Sequence, residues 1–205
     1  MKNQRRIPRE TWGSIFSLRF YRRLEGKCSV TKKELIKRIK ETAYLEGDFI
    51  LRSGKRSKYY LDKYLFETCP DILKALGKEF AKHITEDVTL IAGAELGGVA
   101  LAAATAMQTG KNWIIVRQRR KDHGTGKLIE GVLKPGDVVL LVEDIATTGG
   151  QVLEAAKVIT EAGAKIKKIA CVIDRKQGAG ENIRQAGYRF ESILTKDNLG
   201  IKDTD

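Results

Sequence analysis

The sequence predicts an α/β fold, with a parallel central sheet flanked by helices and a small N-terminal subdomain. Three observations predict it. From Thr89 onward, short apolar runs of strand length alternate with helical periodicity. The strand ends run into glycine-containing turns, Gly93–Gly98 and Gly149-Gly150. The run Val138–Val142 is continuously apolar, as expected of a strand covered on both faces.

The elements follow in order. Thr31 and Glu34 have capping-box spacing. Leu35, Ile36, Ile39, Ala43 and Tyr44 then recur at helical spacing, and Gly47 is expected to end that helix. Phe49–Leu51 and Tyr59–Leu61 flank the polar turn Ser53–Ser57 and read as a hairpin. Asp71–Ile84 is expected to be a helix. Strands are expected at Thr89–Ala92, Trp113–Val116, Val138–Val142 and Ile169–Ile173, and helices at Val99–Thr109 and Gln151–Ala162. In such sheets ligands sit at the carboxyl ends of the strands, so the loops after those strands are the places to search.

Composition narrows the class. The 205 residues are 42% hydrophobic and 31% charged, which is globular, and suffice for one domain with a sizeable core. No apolar run reaches the roughly 18 residues that a membrane-spanning helix needs. Cys28, Cys69 and Cys171 are few and far apart, against a disulfide framework or a zinc site. Reduced thiols in a cytoplasmic protein are the simpler expectation. Of the two histidines, His83 falls on a helix and reads as structural, leaving His123 for chemistry.

The net charge is +12, and residues 1–29 carry half of it, with eight Lys/Arg against two Glu. That segment has little periodicity. It reads as a flexible extension or one outside the fold, with a domain that could begin at Val30. A nucleic-acid-binding arm is the alternative. A targeting peptide is disfavoured because no clean apolar core precedes small residues. Residues 30–205 form the expected domain, divided at about 31–65 and 70–197.

The strongest signal is Val138 to Gly150. A buried strand delivers two adjacent carboxylates, Glu143 and Asp144. A loop of small and hydroxyl residues follows, and then a helix starts. Loop amides, threonine hydroxyls and the helix N-terminus suit a phosphate. Carboxylates beside a phosphate need a reason to be there, and sugar hydroxyls or a magnesium ion supply one. The stretch resembles the diphosphate-sugar signature of the type I phosphoribosyltransferases, whose fold carries a hood over such a core. The resemblance implies that Glu143 and Asp144 hold the ribose of phosphoribosyl diphosphate (PRPP), while Ile145, Ala146, Thr147, Thr148, Gly149, Gly150 and Gln151 surround its 5-phosphate.

A second signal concerns the acceptor. Arg117–Lys127 is basic and glycine-punctuated and lies between strands. Its Lys121-Asp122-His123-Gly124 core, with Arg117 six residues before the histidine, is similar to the flexible catalytic loop of the orotate phosphoribosyltransferase family. The resemblance implies a homodimer in which this loop reaches across the interface. Lys121 and His123, with Asp144, would be catalytic, Arg117 would contact the diphosphate, and Arg120 could assist. Gln118 stands where many family members carry lysine.

Three further matches concern the base and the diphosphate. Leu51–Tyr60 resembles the family's base-covering hairpin, which implies orotate contacts from Arg52, Tyr59 and Tyr60. Arg175 stands where the family places an arginine on the orotate carboxylate, a partner its planar fork suits, and Thr147 would donate to the base. Glu95, Leu96 and Gly97 resemble the loop whose amides hold diphosphate. The implied cofactor is Mg2+, carried by PRPP rather than by dedicated side chains, with Glu143 or Asp144 the residues able to reach it. A purine acceptor on the same scaffold would leave Arg175 without a carboxylate. A PRPP-sensing nucleic-acid regulator has only the basic arm in its favour. P-loop and dinucleotide signatures are absent from the sequence.

Overall fold

Thr31 starts the first helix of the described residues as its spacing predicts. Its hydroxyl accepts from the Glu34 amide at 3.2 Å and the Glu34 carboxylate accepts from the Thr31 amide at 2.9 Å. The structure, a computed structural model, describes residues 30–50, 56–119 and 127–201. The basic segment 1–29, Arg52, and the loop residues Arg120, Lys121 and His123 lie outside the described residues.

Helix α1 (Lys32–Ala43) buries Leu35, Ile39 and Ala43 and stops at Ala43, not at Gly47. Strand pairing explains the difference. Tyr44 is already extended, opens β1 (Tyr44–Ile50), and pairs with Leu61 of the antiparallel β2 (Arg56–Leu61). Its ring also stacks on Tyr59, with centroids 5.7 Å apart and an 18° interplanar angle. Gly47 instead falls where the register shifts between Glu46 and Phe49. A five-residue helix, α2 (Lys63–Glu67), follows, capped by the Asp62 side chain. Helix α3 (Pro70–Ala81) begins on a proline, suited to a first turn whose amides have no helical partner.

The main sheet comprises β3 (Leu90–Ala94), β4 (Asn112–Val116), β5 (Ile129–Glu130), β6 (Val138–Ala146), β7 (Lys165–Asp174) and β8 (Phe190–Thr195), in the order β5-β4-β3-β6-β7-β8. All neighbours are parallel except β5, which runs antiparallel to β4. Helices α4 (Gly97–Thr109), α5 (Gly150–Glu161) and α6 (Ala179–Gln185) connect the strands. The pleat sorts the core into two faces. Leu90, Ala92, Val139, Leu141, Ile169 and Cys171 meet Val152, Ala156 and Ile159 of α5 and Ile183 of α6. The alternate residues, among them Ile91, Leu140 and Val142, are also buried, and α3 and α4 contribute Phe80, Leu76, Leu101 and Ala102 to the core. Both faces are covered, which is why β6 could be recognised as an apolar run.

Chain order reverses between β3 and β6. From β3 the chain steps outward to β4; from β6 it steps the other way to β7 and β8. Their carboxyl ends therefore open a crevice at a topological switch point, the usual ligand position in open α/β sheets. The expected acid pair and the expected diphosphate loop lie at these two strand ends. His83, by contrast, sits 3.3 Å from both Lys168 and Glu191, consistent with a structural part.

Candidate functional site

Strand β6 runs through Ala146 instead of stopping at Val142, so Glu143 and Asp144 are strand residues whose side chains are 5% and 2% exposed. Burial alone would make two ionised carboxylates unstable, and local contacts offset part of that. The Asp144 amide donates to Glu143 Oε1 at 3.0 Å, and the Ile145 amide donates to Asp144 Oδ1. Lys63 Nζ of α2 lies 2.5 Å from Asp144 Oδ2. Among the described residues, Glu143 Oε2 has no hydrogen-bond partner. Burial, and then the neighbouring Asp144 charge, hold the Glu143 carboxyl well above the usual carboxylate range.

A third carboxyl joins this pair. Glu67, the last residue of α2, is 5% exposed. A Cβ on Gly97 would collide with the Asp144 carboxylate and come within 2.9 Å of Glu67 Oε1, so the two acids converge over this glycine and no larger residue fits. Burial, followed by the Asp144 charge, pushes Glu67 up to about 8. For Lys63, burial disfavours the charge, but pairing with Asp144 outweighs it and the ammonium titrates above its ordinary value.

Glu67 therefore binds a proton on folding between pH about 4.5 and about 8. Because the folded state holds the extra proton, stability should fall as pH rises through that window and level off above it. Glu67→Gln should remove this loss. Its Tm is expected to match the parent near pH 4 and exceed it by several degrees at pH 9, measured by calorimetry. Identical Tm–pH curves would contradict the assignment.

The loop after β6 forms one wall of a concavity of about 180 Å3, lined by Glu143 to Val152. It is tied down from behind. Thr147 O accepts from the Ala179 amide at 2.9 Å, and Thr148 O accepts from Asn182 Nδ2 at 2.9 Å. Gly149 caps α5 with φ 81°, and a Cβ there would press on Ile183 at 3.1 Å. With its carbonyls held by α6, the loop turns toward the crevice at the start of α5, an arrangement suited to a phosphate.

Across the switch point, the Glu95–Leu96 peptide is cis. Glu95 O accepts from Gln118 Nε2 and from Gln151 Nε2, each at 2.8 Å. Gln151, expected around the phosphate, thus braces the neighbouring loop. Gln118 does likewise, and its amide donates to Glu95 Oε2 at 3.2 Å. Arg117 Nη1 lies 3.8 Å from Glu95 Oε1. Leu96 is exposed.

Arg175 follows β7, its amide bound to Ala146 O at 2.9 Å. Its Nη2 donates to Tyr59 Oη at 2.8 Å, and the guanidinium lies 5.7 Å from the centre of that ring. Tyr59 is buried between Tyr44 and Arg175, whereas Tyr60 points to the opposite face of β2, exposed and beside Phe49. The structure thus brings Tyr59 and Arg175 together but separates Tyr59 from Tyr60. Sequence reasoning missed Lys63, Glu67 and Asn182. Only the proximity of Asp62-Lys63 to the hairpin hinted at the first, and nothing local pointed to the others.

Magnesium fits this site only in a limited way. The unpartnered Glu143 Oε2, with Asp144 beside it, could face a hydrated ion, but among the described residues no three metal-binding side chains are placed to hold an ion together. Such a site suits an ion that arrives with a phosphorylated ligand and keeps its waters.

Comparison with known proteins agrees with this geometry. Residues 67–203 match the phosphoribosyl transferase domain. The chain is 44% identical over 172 residues to the orotate phosphoribosyltransferase of Pyrococcus abyssi, covering 82% of this chain and 94% of that protein. Identity is 47% over 167 residues to the Pyrococcus furiosus enzyme of the same name, covering 80% and 92%. The crystal structure of the Mycobacterium tuberculosis orotate phosphoribosyltransferase with PRPP superposes with a TM-score of 0.72 at 28% identity, covering 83% of this chain and 99% of that one.

Proposed function

The chain belongs to the phosphoribosyltransferase family, among its orotate phosphoribosyltransferases, and from that premise we propose how its own residues divide the work. The reaction transfers the ribose 5-phosphate group of PRPP to orotate, giving orotidine 5′-phosphate and diphosphate on the route to UMP. The observation that carries the assignment of roles is the meeting, at one switch point, of a buried acid pair, a braced phosphate loop and Arg175.

Ala146 to Gly150 bind the 5-phosphate through their amides and hydroxyls. Glu143 and Asp144 accept from the ribose hydroxyls, and Asp144 is the counter-charge to positive charge growing on the sugar. Glu95, Leu96 and Gly97 face the diphosphate. Arg117, Lys121 and His123 stabilise negative charge on it as the bond breaks, with Arg120 assisting, and closure of their loop keeps water from the sugar. Gln118 serves that site through the Glu95 carbonyl instead of by charge. When bound, Mg2+ supplies charge neutralisation on the diphosphate. No side chain acts as nucleophile, and because orotate enters ionised no strong base is required.

Arg175 pairs with the orotate carboxylate, Tyr59 holds that guanidinium in place, and Arg52, Tyr60 and Thr147 complete the base site. The division into a hood at about 31–65 and a core at about 70–197 follows the same reading, as does a homodimer whose 117–127 loop works in trans. The free thiols of Cys69 and Cys171 support a cytoplasmic setting. Arg175→Met tests the base assignment. The KM for orotate should rise roughly 100-fold, as for loss of a charge-assisted pair, with the KM for PRPP unchanged. Equal effects on both substrates would remove Arg175 from the base site.

A further inference from the structure

Helix α2 has no part in the site as the sequence describes it, yet it delivers two side chains to the acid pair. Lys63 and Glu67 stand four residues apart and so share one helix face. Lys63 Nζ reaches Asp144 Oδ2 at 2.5 Å, and Glu67 meets Asp144 over Gly97. The Asp62 side chain caps α2, and the hydrogen bond from the Asp62 amide to Ala43 O at 2.9 Å ties the start of α2 to the end of α1.

We propose that Lys63 and Glu67 are positioning residues that hold Asp144 ready for the ribose hydroxyls and mask its charge from the phosphates of PRPP. The physical need is plain. A site for a polyanion contains two adjacent buried carboxylates, and a third buried carboxyl, Glu67, converges with Asp144 over Gly97. Unmasked, they would repel the ligand they are meant to hold. Lys63 supplies the only ammonium recorded within ion-pair distance of this cluster among the described residues. Its side chain is 29% exposed against 2% for Asp144, so it approaches from the rim and leaves the crevice open. Glu67, buried and converging with Asp144 over Gly97, adds bulk against the Asp144 carboxylate. Lys63 thus acts through Asp144, and its loss should register on PRPP and not on the base.

This inference rests on the reading of Asp144 as the ribose-binding carboxylate, and the experiment separates the two. PRPP affinity is measured by calorimetry and by steady-state kinetics on the full chain and on Lys63→Met, Lys63→Arg, Asp144→Asn and the Lys63→Met/Asp144→Asn double variant. Lys63→Met should raise Kd and KM for PRPP by roughly 10- to 100-fold, the range for one charged contact, with the KM for orotate within about threefold. Lys63→Arg should recover most of the loss. The double variant should bind PRPP no worse than Asp144→Asn alone, since nothing remains to be masked. Additive losses, or a fall in Tm with the PRPP constants unchanged, would overturn the proposal. Should Lys63→Met not fold, the arginine and double variants still decide. If Asp144→Asn itself leaves PRPP binding intact, the ribose assignment fails first, whatever Lys63 does.

Discussion

Asp144→Asn should lower kcat/KM for PRPP by about a thousandfold while the protein stays folded. Two charged hydrogen bonds to ribose hydroxyls, at roughly 1.5–3 kcal/mol each, account for a loss of that size. Asparagine keeps the shape of the side chain, so the short contact from the Ile145 amide can persist. It does remove the partner of Lys63 and the charge that helps hold Glu67 protonated. Glu67 should then titrate closer to an ordinary carboxyl, and the fall in stability with rising pH should shrink. Steady-state kinetics together with a Tm–pH series check both consequences. A thousandfold loss in activity with an unaltered Tm–pH series would leave the ribose role standing but detach Glu67 from Asp144. An unchanged kcat/KM would remove Asp144 from the site.

Lys121→Ala should cut kcat by about 100- to 1000-fold, the range for removing one preorganised group that stabilises developing negative charge, with the KM for orotate little changed. Lys121 lies outside the described residues, so a functional test is the direct one. If the 117–127 loop acts across a dimer interface, mixing Lys121→Ala with Asp144→Asn should restore activity. Each mixed dimer would contain one site with an intact loop and an intact acid pair. Refolding or subunit exchange followed by assay reads the recovery. Activity that stays at the level of the two variants would place the loop in cis.

Much of the fold was legible because its signals are local. The apolar run of β6 followed by two acids and a Thr-Thr-Gly-Gly loop is continuous in sequence, and the capping box at Thr31 needs only four residues. What escaped was set by tertiary contact. Gly47 looked like a helix stop, but pairing of Tyr44 with Leu61 and its stacking on Tyr59 ended α1 four residues sooner. Helix α2 is too short to show a period, so nothing in the sequence singled out Lys63 and Glu67, although both reach Asp144. Tyr59 and Tyr60 looked like a pair, yet adjacent strand residues face opposite ways, and only Tyr59 meets Arg175. Gln118 stood out only as a glutamine where many family members carry lysine, whereas its side-chain amide finds the Glu95 carbonyl from a distance of 23 residues. None of these partners is close enough in sequence for spacing to announce it.

The most direct measurement is the ultraviolet absorbance of orotate incubated with the purified protein, PRPP and Mg2+, beside reactions lacking PRPP or Mg2+ and reactions offering adenine, hypoxanthine or uracil. Orotate absorbance is expected to fall only when PRPP and Mg2+ are both present, with the other bases left unchanged. Turnover of a purine or of uracil with orotate untouched would contradict the roles given to Arg175 and the 117–127 loop.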